Sequence, residues 1–188
     1  RKAAFEQLIN LIEEKEYHLD VGVLGGRVLF HVLTDFGYSD LAFSMITRPD
    51  YPSYGNWIAR GATTLWEVFQ PEGSDRIGSL NHHFWGDISS WFTQALSGIR
   101  MAPHGEPNEV DFRPSFISRL THAEAFHIAP AGRIAFAWER DEDDVIVLTV
   151  ELPSTMHGVI RLESGYVFED GLAYKAAESG TYRIHSIE

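Results

Sequence analysis

The spacing of apolar residues changes along the chain, and this change limits the possible folds more than any other feature. In residues 1–100 apolar residues recur every three or four positions, which is the spacing of helices with one buried face. The clearest stripe consists of Ile88, Trp91, Phe92, Ala95, Leu96 and Ile99. From about residue 112 the period falls to two, which is typical of half-buried strands. The sequence therefore predicts an α+β chain in which a helical part precedes an antiparallel sheet or small β-sandwich.

Domain limits follow from the same pattern and from composition. Residues 1–101 are predicted to form a helical domain and residues 112–188 a β-sandwich domain. Residues 102–111 are predicted to link the two, because proline, glycine and charged residues are frequent there. Two long connections, 47–62 and 70–86, separate the predicted helices, and connections of that length often carry function.

Individual elements can be placed from local signals. Helices are predicted to end near Lys15, at Gly37 and at Gly98, and a further short helix is predicted over residues 38–46. In the second part, strands are predicted at residues 134–138, 145–152, 158–162, 165–168 and 181–187.

Composition excludes several classes of partner. The length of 188 residues fits one domain or two small ones. The 15 Lys and Arg residues against 27 Asp and Glu residues give a net charge of −12, which is the wrong sign for a nucleic-acid backbone or an anionic membrane surface. We therefore expect neither as a partner. The absence of cysteine excludes disulfides and thiolate metal sites but leaves the cellular compartment open.

Glu67 is the carboxylate with the strongest case for chemistry. It follows the apolar pair Leu65-Trp66, so we expect it to lie against packed aromatic rings, where a carboxylate can act as a general base on water. A second interpretation is a glutamate in the first turn of a helix, where its charge favours the helix dipole. Asp20 has two comparable interpretations, as a helix N-cap or as part of a pocket wall.

Histidines and aromatic residues in the same region are candidates for ligand binding. His82 and His83 are neighbours, but no cysteine and no His-x-x-x-His spacing accompanies them, so hydrogen bonding is favoured and no metal site is predicted. Trp57 and Tyr54 belong to a cluster of rings that either stack on the apolar face of a sugar or fill the core. We predict that one of the histidines and these two rings contact a carbohydrate.

Several motifs together carry a resemblance to a known family. They are His18-Leu-Asp-Val-Gly-Val-Leu-Gly25, Tyr51-Pro-Ser-Tyr-Gly55, Gly61-Ala-Thr-Thr-Leu-Trp-Glu67 and Asn81-His82. With them, the chain resembles the end of the catalytic domain of bacterial α-L-rhamnosidases of glycoside hydrolase family 78. The segment after residue 111 is similar to the C-terminal β-sandwich of these enzymes. The resemblance extends over essentially the whole chain.

The resemblance implies a partial (α/α)6 barrel in an enzyme that releases terminal α-L-rhamnose from rhamnosides with inversion. It implies that Glu67 is the general base and that His82 binds the sugar, and it implies no cofactor. Tyr54 stands where the family often has a tryptophan. The general acid of the family belongs to an earlier part of the barrel that has no counterpart in this chain, so we expect the chain to be part of a longer enzyme and to be inactive alone.

Two alternatives are open at this point. One is a non-catalytic carbohydrate-binding or interaction module, and the other is a different (α/α)6-barrel glycosidase or lyase. In either case the predicted helices are too few to cover their own apolar stripes. We therefore expect an exposed apolar face that binds the remaining N-terminal part of the enzyme or a second copy of the chain. The expected ligand is a rhamnose-containing glycoside.

Overall fold

The structure, a computed structural model, describes residues 1–75, 78–141 and 143–187. The chain divides into two compact units, Arg1–Ile88 and Ser89–Glu188. The first unit is helical and the second consists mainly of strands, so the fold class predicted from the change of period is confirmed. The finer domain limits, 1–101 and 112–188 with a linker at 102–111, stay a prediction.

Helices and a long irregular segment, the described residues of 62–87, form the first unit. The helices are α1 (Lys2–Glu14), α2 (Val23–Asp35), α3 (Ser39–Thr47) and α4 (Tyr54–Ala59). Two predicted helix ends are confirmed, because Lys15 caps α1 and Gly37 follows directly after the cap of α2. Gly37 has a φ of +81°, a left-handed conformation that glycine adopts without the steric cost of a Cβ atom.

The prediction is wrong for two parts of this unit. α4 lies inside the predicted connection 47–62, and with 6 residues it is too short to show a periodic stripe. Its start is marked by Ser53, whose Oγ accepts a hydrogen bond from the backbone N–H of Asn56 at 2.9 Å. No helix begins near Glu67, because the described residues in 62–75 and 78–87 are bends, turns and backbone without regular structure. The interpretation of Glu67 as a first-turn residue is therefore wrong.

The second unit contains two sheets. Its strands are β1 (Ile99–Met101), β2 (Glu109–Phe112), β3 (His122–Ala129), β4 (Gly132–Arg140), β5 (Ile146–Glu151), β6 (His157–Arg161), β7 (Tyr166–Phe168), β8 (Tyr174–Ala176) and β9 (Gly180–Ser186). One sheet has the order β1-β2-β6-β8 and the other has the order β3-β4-β5-β9-β7. β2 and β6 pair in parallel, while the remaining pairs between these strands are antiparallel.

The strands with the clearest alternation are the ones that the sequence predicts. β4, β5, β6, β7 and β9 all lie on predicted strands. β1, β2, β3 and β8 are additional, and β2 begins at Glu109, inside the predicted linker. The inward residues of both sheets form one apolar core, in which the rings of Phe112 and Phe136 stack with their centroids 5.0 Å apart.

The last helix is shorter than the apolar stripe predicts, and its second half is a π-helical turn, which is wider than an α-helical turn. α5 (Ile88–Trp91) continues as a π-helical turn over Phe92–Leu96 instead of running as a regular helix to Gly98. The last carbonyls of a helix have no partner within the helix and are free to bond elsewhere. Within the second unit, the carbonyl of Leu96 accepts a hydrogen bond from the indole Nε1–H of Trp138 at 2.7 Å, which fastens the end of the helix to β4.

Asp111 is a charged residue in the interior of the second unit. Its side chain is 2% exposed, and its Oδ2 accepts a hydrogen bond from the guanidinium of Arg113 at 2.6 Å. The Nε of Arg161 lies 3.5 Å from the same oxygen. Because Arg161 belongs to β6 and Asp111 to β2, the pair connects two strands far apart in sequence.

The described residues lack two features. No helix in that part of the chain is both long and apolar enough to cross a membrane. The same residues include no group of three or more His, Cys, Asp or Glu side chains placed to hold a metal ion.

Candidate active site

A cavity of about 490 Å³ opens in the first unit. Its walls come from the loop before α2, the first residues of α2, the loop before α4 and the irregular segments around residues 67 and 85. Two carboxylates and four aromatic residues are part of the lining, namely Asp20, Glu67, Tyr51, Phe69, Phe84 and Trp85. Sites for small molecules have volumes of roughly 300–1,000 Å³ and combine apolar walls with a few polar groups, so this cavity is the candidate active site.

The backbone around Glu67 pairs with a second irregular segment. The N–H of Glu67 donates to the carbonyl of Ser79 at 2.8 Å, and the N–H of His82 donates to the carbonyl of Leu65 at 2.8 Å. The hydroxyl of Thr64 also donates to the carbonyl of Leu80. Residues 64–67 and 79–82 therefore run side by side, and this pairing puts the predicted site residues Glu67 and His82 on neighbouring segments.

The Glu67 carboxylate is half-buried and oriented by a backbone amide. Its Oε2 accepts a hydrogen bond from the N–H of Ser79 at 2.9 Å. Gly78 packs closely beside it, since a Cβ atom at that position would lie 3.4 Å from the same oxygen and 3.0 Å from Val68. The amide holds one carboxylate oxygen in place, so the orientation of the group toward the cavity is defined by the backbone of 78–79.

The hydrogen bonds of His82 define which ring nitrogen carries the proton. Nδ1 accepts a hydrogen bond from the N–H of Phe84 at 3.2 Å, so in the neutral ring the proton resides on Nε2. The ring of Phe84 contacts the imidazole edge to face, with the centroids 3.9 Å apart, and the ring of His83 stacks on the imidazole with the centroids 5.3 Å apart. His82 is thus held as a hydrogen-bond donor through Nε2.

Tyr54 and Trp57 lie beneath the cavity. Trp57 is 2% exposed and stacks on Phe69, with the ring centroids 4.1 Å apart. Tyr54 is 8% exposed and its hydroxyl donates to the carbonyl of Trp85 at 3.1 Å. Burial raises the pKa of Tyr54 well above its ordinary value, and the nearby charge of Asp87 acts in the same direction. Both rings contact residues that line the cavity, and their predicted contact with the sugar stays a prediction.

Asp20 belongs to the cavity wall and does not cap α2. The N-cap of α2 is Gly22, which makes no side-chain cap. The carboxylate of Asp20 instead pairs with Lys15, whose Nζ lies 2.8 Å from Oδ2. This ion pair raises the pKa of Lys15, first through the hydrogen bond to Asp20. Of the two interpretations of Asp20 from the sequence, the pocket wall is the one realised in the structure.

An ion-pair cluster connects the loops at the rim of the cavity. Asp50 accepts hydrogen bonds from the Nε and Nη2 of Arg48 at 2.9 and 2.7 Å, and the Nε2 of His18 lies 3.0 Å from its Oδ2. The Arg48 guanidinium, followed by His18, holds the pKa of the Asp50 carboxyl well below its usual range. The cluster joins the loop before α2 to the residues that precede Tyr51, which lines the cavity.

Some site contacts have no signal in the sequence. The partner of the Glu67 carboxylate is the backbone N–H of Ser79, and any non-proline residue supplies such a group. Phe69 and Tyr51 line the cavity, but an aromatic residue in a loop looks the same whether it fills a core or a site. Trp85 is one more aromatic residue in the sequence, and its indole hydrogen bond to the Glu67 carbonyl follows only from the fold.

Two family descriptions match the chain. The bacterial alpha-L-rhamnosidase 6 hairpin glycosidase domain matches residues 1–96, and the bacterial alpha-L-rhamnosidase C-terminal domain matches residues 108–165. Among curated proteins, an alpha-L-rhamnosidase of Streptomyces avermitilis is 30% identical over 202 residues, which cover 98% of this chain and 19% of that protein. The chain therefore spans about a fifth of the length of this relative.

Solved structures give a matching result. The crystal structure of Streptomyces avermitilis alpha-L-rhamnosidase complexed with L-rhamnose superposes with a TM-score of 0.84 at 30% identity, over 98% of this chain and 19% of that one. An alpha-L-rhamnosidase from Dictyoglumus thermophilum superposes with a TM-score of 0.80 at 26% identity, over 96% of this chain and 22% of that one. Both likenesses include the helical part and the sheets.

Proposed function

Because the chain belongs to the bacterial α-L-rhamnosidase family, we propose that it supplies the water-activating side of an inverting α-L-rhamnosidase site, with Glu67 as the general base. The proposed substrate is a glycoside with a terminal α-L-rhamnosyl residue. The main support is the position of Glu67, whose carboxylate is oriented by the Ser79 amide at the wall of a sugar-sized cavity.

The proposed reaction is a single displacement at the anomeric carbon. Inverting glycosidases use two carboxyl groups about 6.5–9.5 Å apart, which leaves room for a water molecule. One carboxyl protonates the departing glycosidic oxygen while the other removes a proton from the attacking water. Glu67 has the second role in our proposal. Since its Oε2 accepts the amide hydrogen bond, Oε1 is the oxygen that receives the water proton.

His82 and the aromatic rings have supporting roles in the proposal. The Nε2–H of His82 donates a hydrogen bond to a sugar hydroxyl, which fits the tautomer fixed by the Phe84 amide. Tyr54 and Trp57 are proposed to bind the sugar as well; in this structure they support the cavity floor through Trp85 and Phe69. No step needs a metal or an organic cofactor.

The general acid is proposed to come from a part of the polypeptide outside this chain. The apolar surface of α2 supports such an arrangement, because Leu24 and Val28, one turn apart, are 76% and 56% exposed. We propose that this face packs against further helices of the barrel in a longer polypeptide, or against a second copy of the chain. The 188 residues alone are then inactive toward rhamnosides.

Substitution of Glu67 tests the proposal in the complete polypeptide that carries this chain, here called the full-length protein. Glu67→Gln keeps the side-chain volume and removes the base, so kcat should fall by about 10²–10⁴-fold with aryl α-L-rhamnosides. Proton NMR of the wild-type reaction should detect β-L-rhamnose as the first sugar product, because inversion changes the anomeric configuration.

The matched control for this test is Glu13→Gln. Glu13 is exposed on α1, so the same chemical change there should leave kcat unaltered. Near-normal turnover in Glu67→Gln would remove Glu67 from the role of base. Rhamnosidase turnover by the isolated 188-residue chain that is lost in Glu67→Gln would show that the acid is local.

A further inference from the structure

Trp85 connects the Glu67 segment to the rest of the first unit. Its indole Nε1–H donates a hydrogen bond to the backbone carbonyl of Glu67 at 3.0 Å. The N–H and the carboxylate of Glu67 are both bound by Ser79, which lies on the neighbouring irregular segment. Among these contacts, only the bond from Trp85 ties Glu67 to a residue outside that pair of segments.

The indole ring is itself fixed from several directions. Trp85 is 7% exposed, and its ring meets Phe69 at 4.6 Å between centroids. Its carbonyl accepts the hydroxyl hydrogen bond of Tyr54 at 3.1 Å. On the side of α2 the ring lies against Gly26, where a Cβ atom would come within 2.5 Å of Cζ3, so only glycine fits there. The indole N–H is therefore presented by a ring held between α2 and α4.

We propose that Trp85 is a positioning residue for the general base: its indole N–H fixes the Glu67 backbone and thereby sets where the Glu67 carboxylate stands in the cavity. This inference rests on the proposed function of Glu67. The segment that carries Glu67 is neither helix nor strand, so the hydrogen bonds of regular structure do not define its position. A misplacement of about 1 Å can cost roughly 10²-fold in rate, so a single hydrogen bond to this backbone has a large effect on turnover.

Only a tryptophan supplies this contact at position 85. The indole Nε1–H of tryptophan is a hydrogen-bond donor and never an acceptor. Phenylalanine fills most of the same space but has no hydrogen-bond donor. Trp85→Phe therefore removes the hydrogen bond with the least change in packing. We expect kcat of the full-length protein to fall by about 10–100-fold, with KM within two-fold of the wild-type value.

The matched control is Trp138→Phe in the second unit. Trp138 is also buried, at 1% exposure, and its indole N–H also donates to a backbone carbonyl, that of Leu96 at 2.7 Å. The two variants lose the same kind of hydrogen bond. The melting temperature of each variant shows how much of any loss in kcat comes from lower stability. Trp138→Phe should leave kcat unchanged.

A double variant separates this inference from the proposed function. If Trp85 acts through Glu67, then Trp85→Phe should change the residual kcat of Glu67→Gln by less than two-fold, because the group that it positions is already gone. If Trp85→Phe lowers kcat by the same factor in the wild type and in Glu67→Gln, the positioning role is overturned. A normal kcat in Trp85→Phe, while Glu67→Gln is impaired, would overturn it too. A normal kcat in Glu67→Gln would instead count against the proposed function itself.

Discussion

The same type of hydrogen bond has a different role in each of the two units. In each, a buried tryptophan donates its indole N–H to a backbone carbonyl: Trp85 to Glu67 in the first unit and Trp138 to Leu96 in the second. Trp138 lies within a strand whose backbone is already paired on both sides, and its bond adds one more tie between a helix end and a sheet. Glu67 belongs to a segment without regular structure, so the bond from Trp85 defines the position of that segment.

The difference shows where regular secondary structure fixes the backbone and where individual side chains must fix it. In the second unit, sheet hydrogen bonds and a continuous apolar core fix the backbone. In the first unit, the walls of the cavity around Glu67 depend on individual contacts from Ser79, Trp85 and the Asp50 cluster. We therefore expect substitutions in the sheets to reduce stability and substitutions around the cavity to reduce turnover.

The largest effect on stability is expected at Asp111. Asp111→Asn keeps the shape of the side chain but leaves the guanidinium groups of Arg113 and Arg161 without the carboxylate that they share. The two guanidiniums are 39% and 46% exposed and keep part of their hydration, so we expect a loss of about 1.5–3 kcal/mol in the free energy of unfolding, the range for a hydrogen bond to a charged group. Urea denaturation of the 188-residue chain measures this loss as the change in the free energy of unfolding of the second unit.

The control for Asp111 is Asp170→Asn. Asp170 also pairs with a cation, Lys175 at 2.6 Å, but its side chain is 47% exposed. Its loss should cost clearly less stability than the loss of Asp111, because water screens an exposed ion pair. If both variants lose the same amount, the second unit does not depend on its buried charge, and the contrast drawn between the two units weakens.

A smaller effect is expected at Asp50 and depends on pH. Its pKa in the folded chain is depressed, first by Arg48 and then by His18, so its contribution to stability is present above the ordinary aspartate pKa of about 4 and is lost as the pH falls below it. The side chain is 51% exposed, so we expect at most about 1 kcal/mol. Wild type should be more stable than Asp50→Asn at pH 6, and the gap should narrow as the pH falls from about 4 toward the depressed pKa of Asp50. A gap that stays constant over this range would show that the charge of Asp50 contributes nothing.

Much of the second unit was predictable from the sequence, and much of the site was not. The alternation at Ile134, Phe136 and Trp138 identifies β4, because each of these residues is buried at 0–1% exposure on the inner face. β2 was missed because it has only 4 residues and lies in a segment rich in charge. Short strands that pair with distant partners leave little periodicity to detect.

The chemistry at Glu67 illustrates the limit more sharply. The apolar neighbours of Glu67 indicated a packed environment, and the resemblance indicated a base, but the spacing also allowed a helix start that the structure contradicts. The contacts that orient the carboxylate come from a backbone amide 12 residues later and an indole 18 residues later. Such contacts follow from how two irregular segments pair, which no local pattern encodes.

The most direct test of the central claim is chemical rescue of Glu67→Ala in the full-length protein. Azide attacks the anomeric carbon without giving up a proton, so it needs no general base, and the alanine leaves space for it in the cavity. We predict that Glu67→Ala hydrolyses aryl α-L-rhamnosides at least about 10²-fold more slowly than wild type and regains turnover in azide, with β-L-rhamnosyl azide as the product. Undiminished hydrolysis by Glu67→Ala, or no rescue and no azide product, would contradict the assignment of Glu67 as the base that activates water.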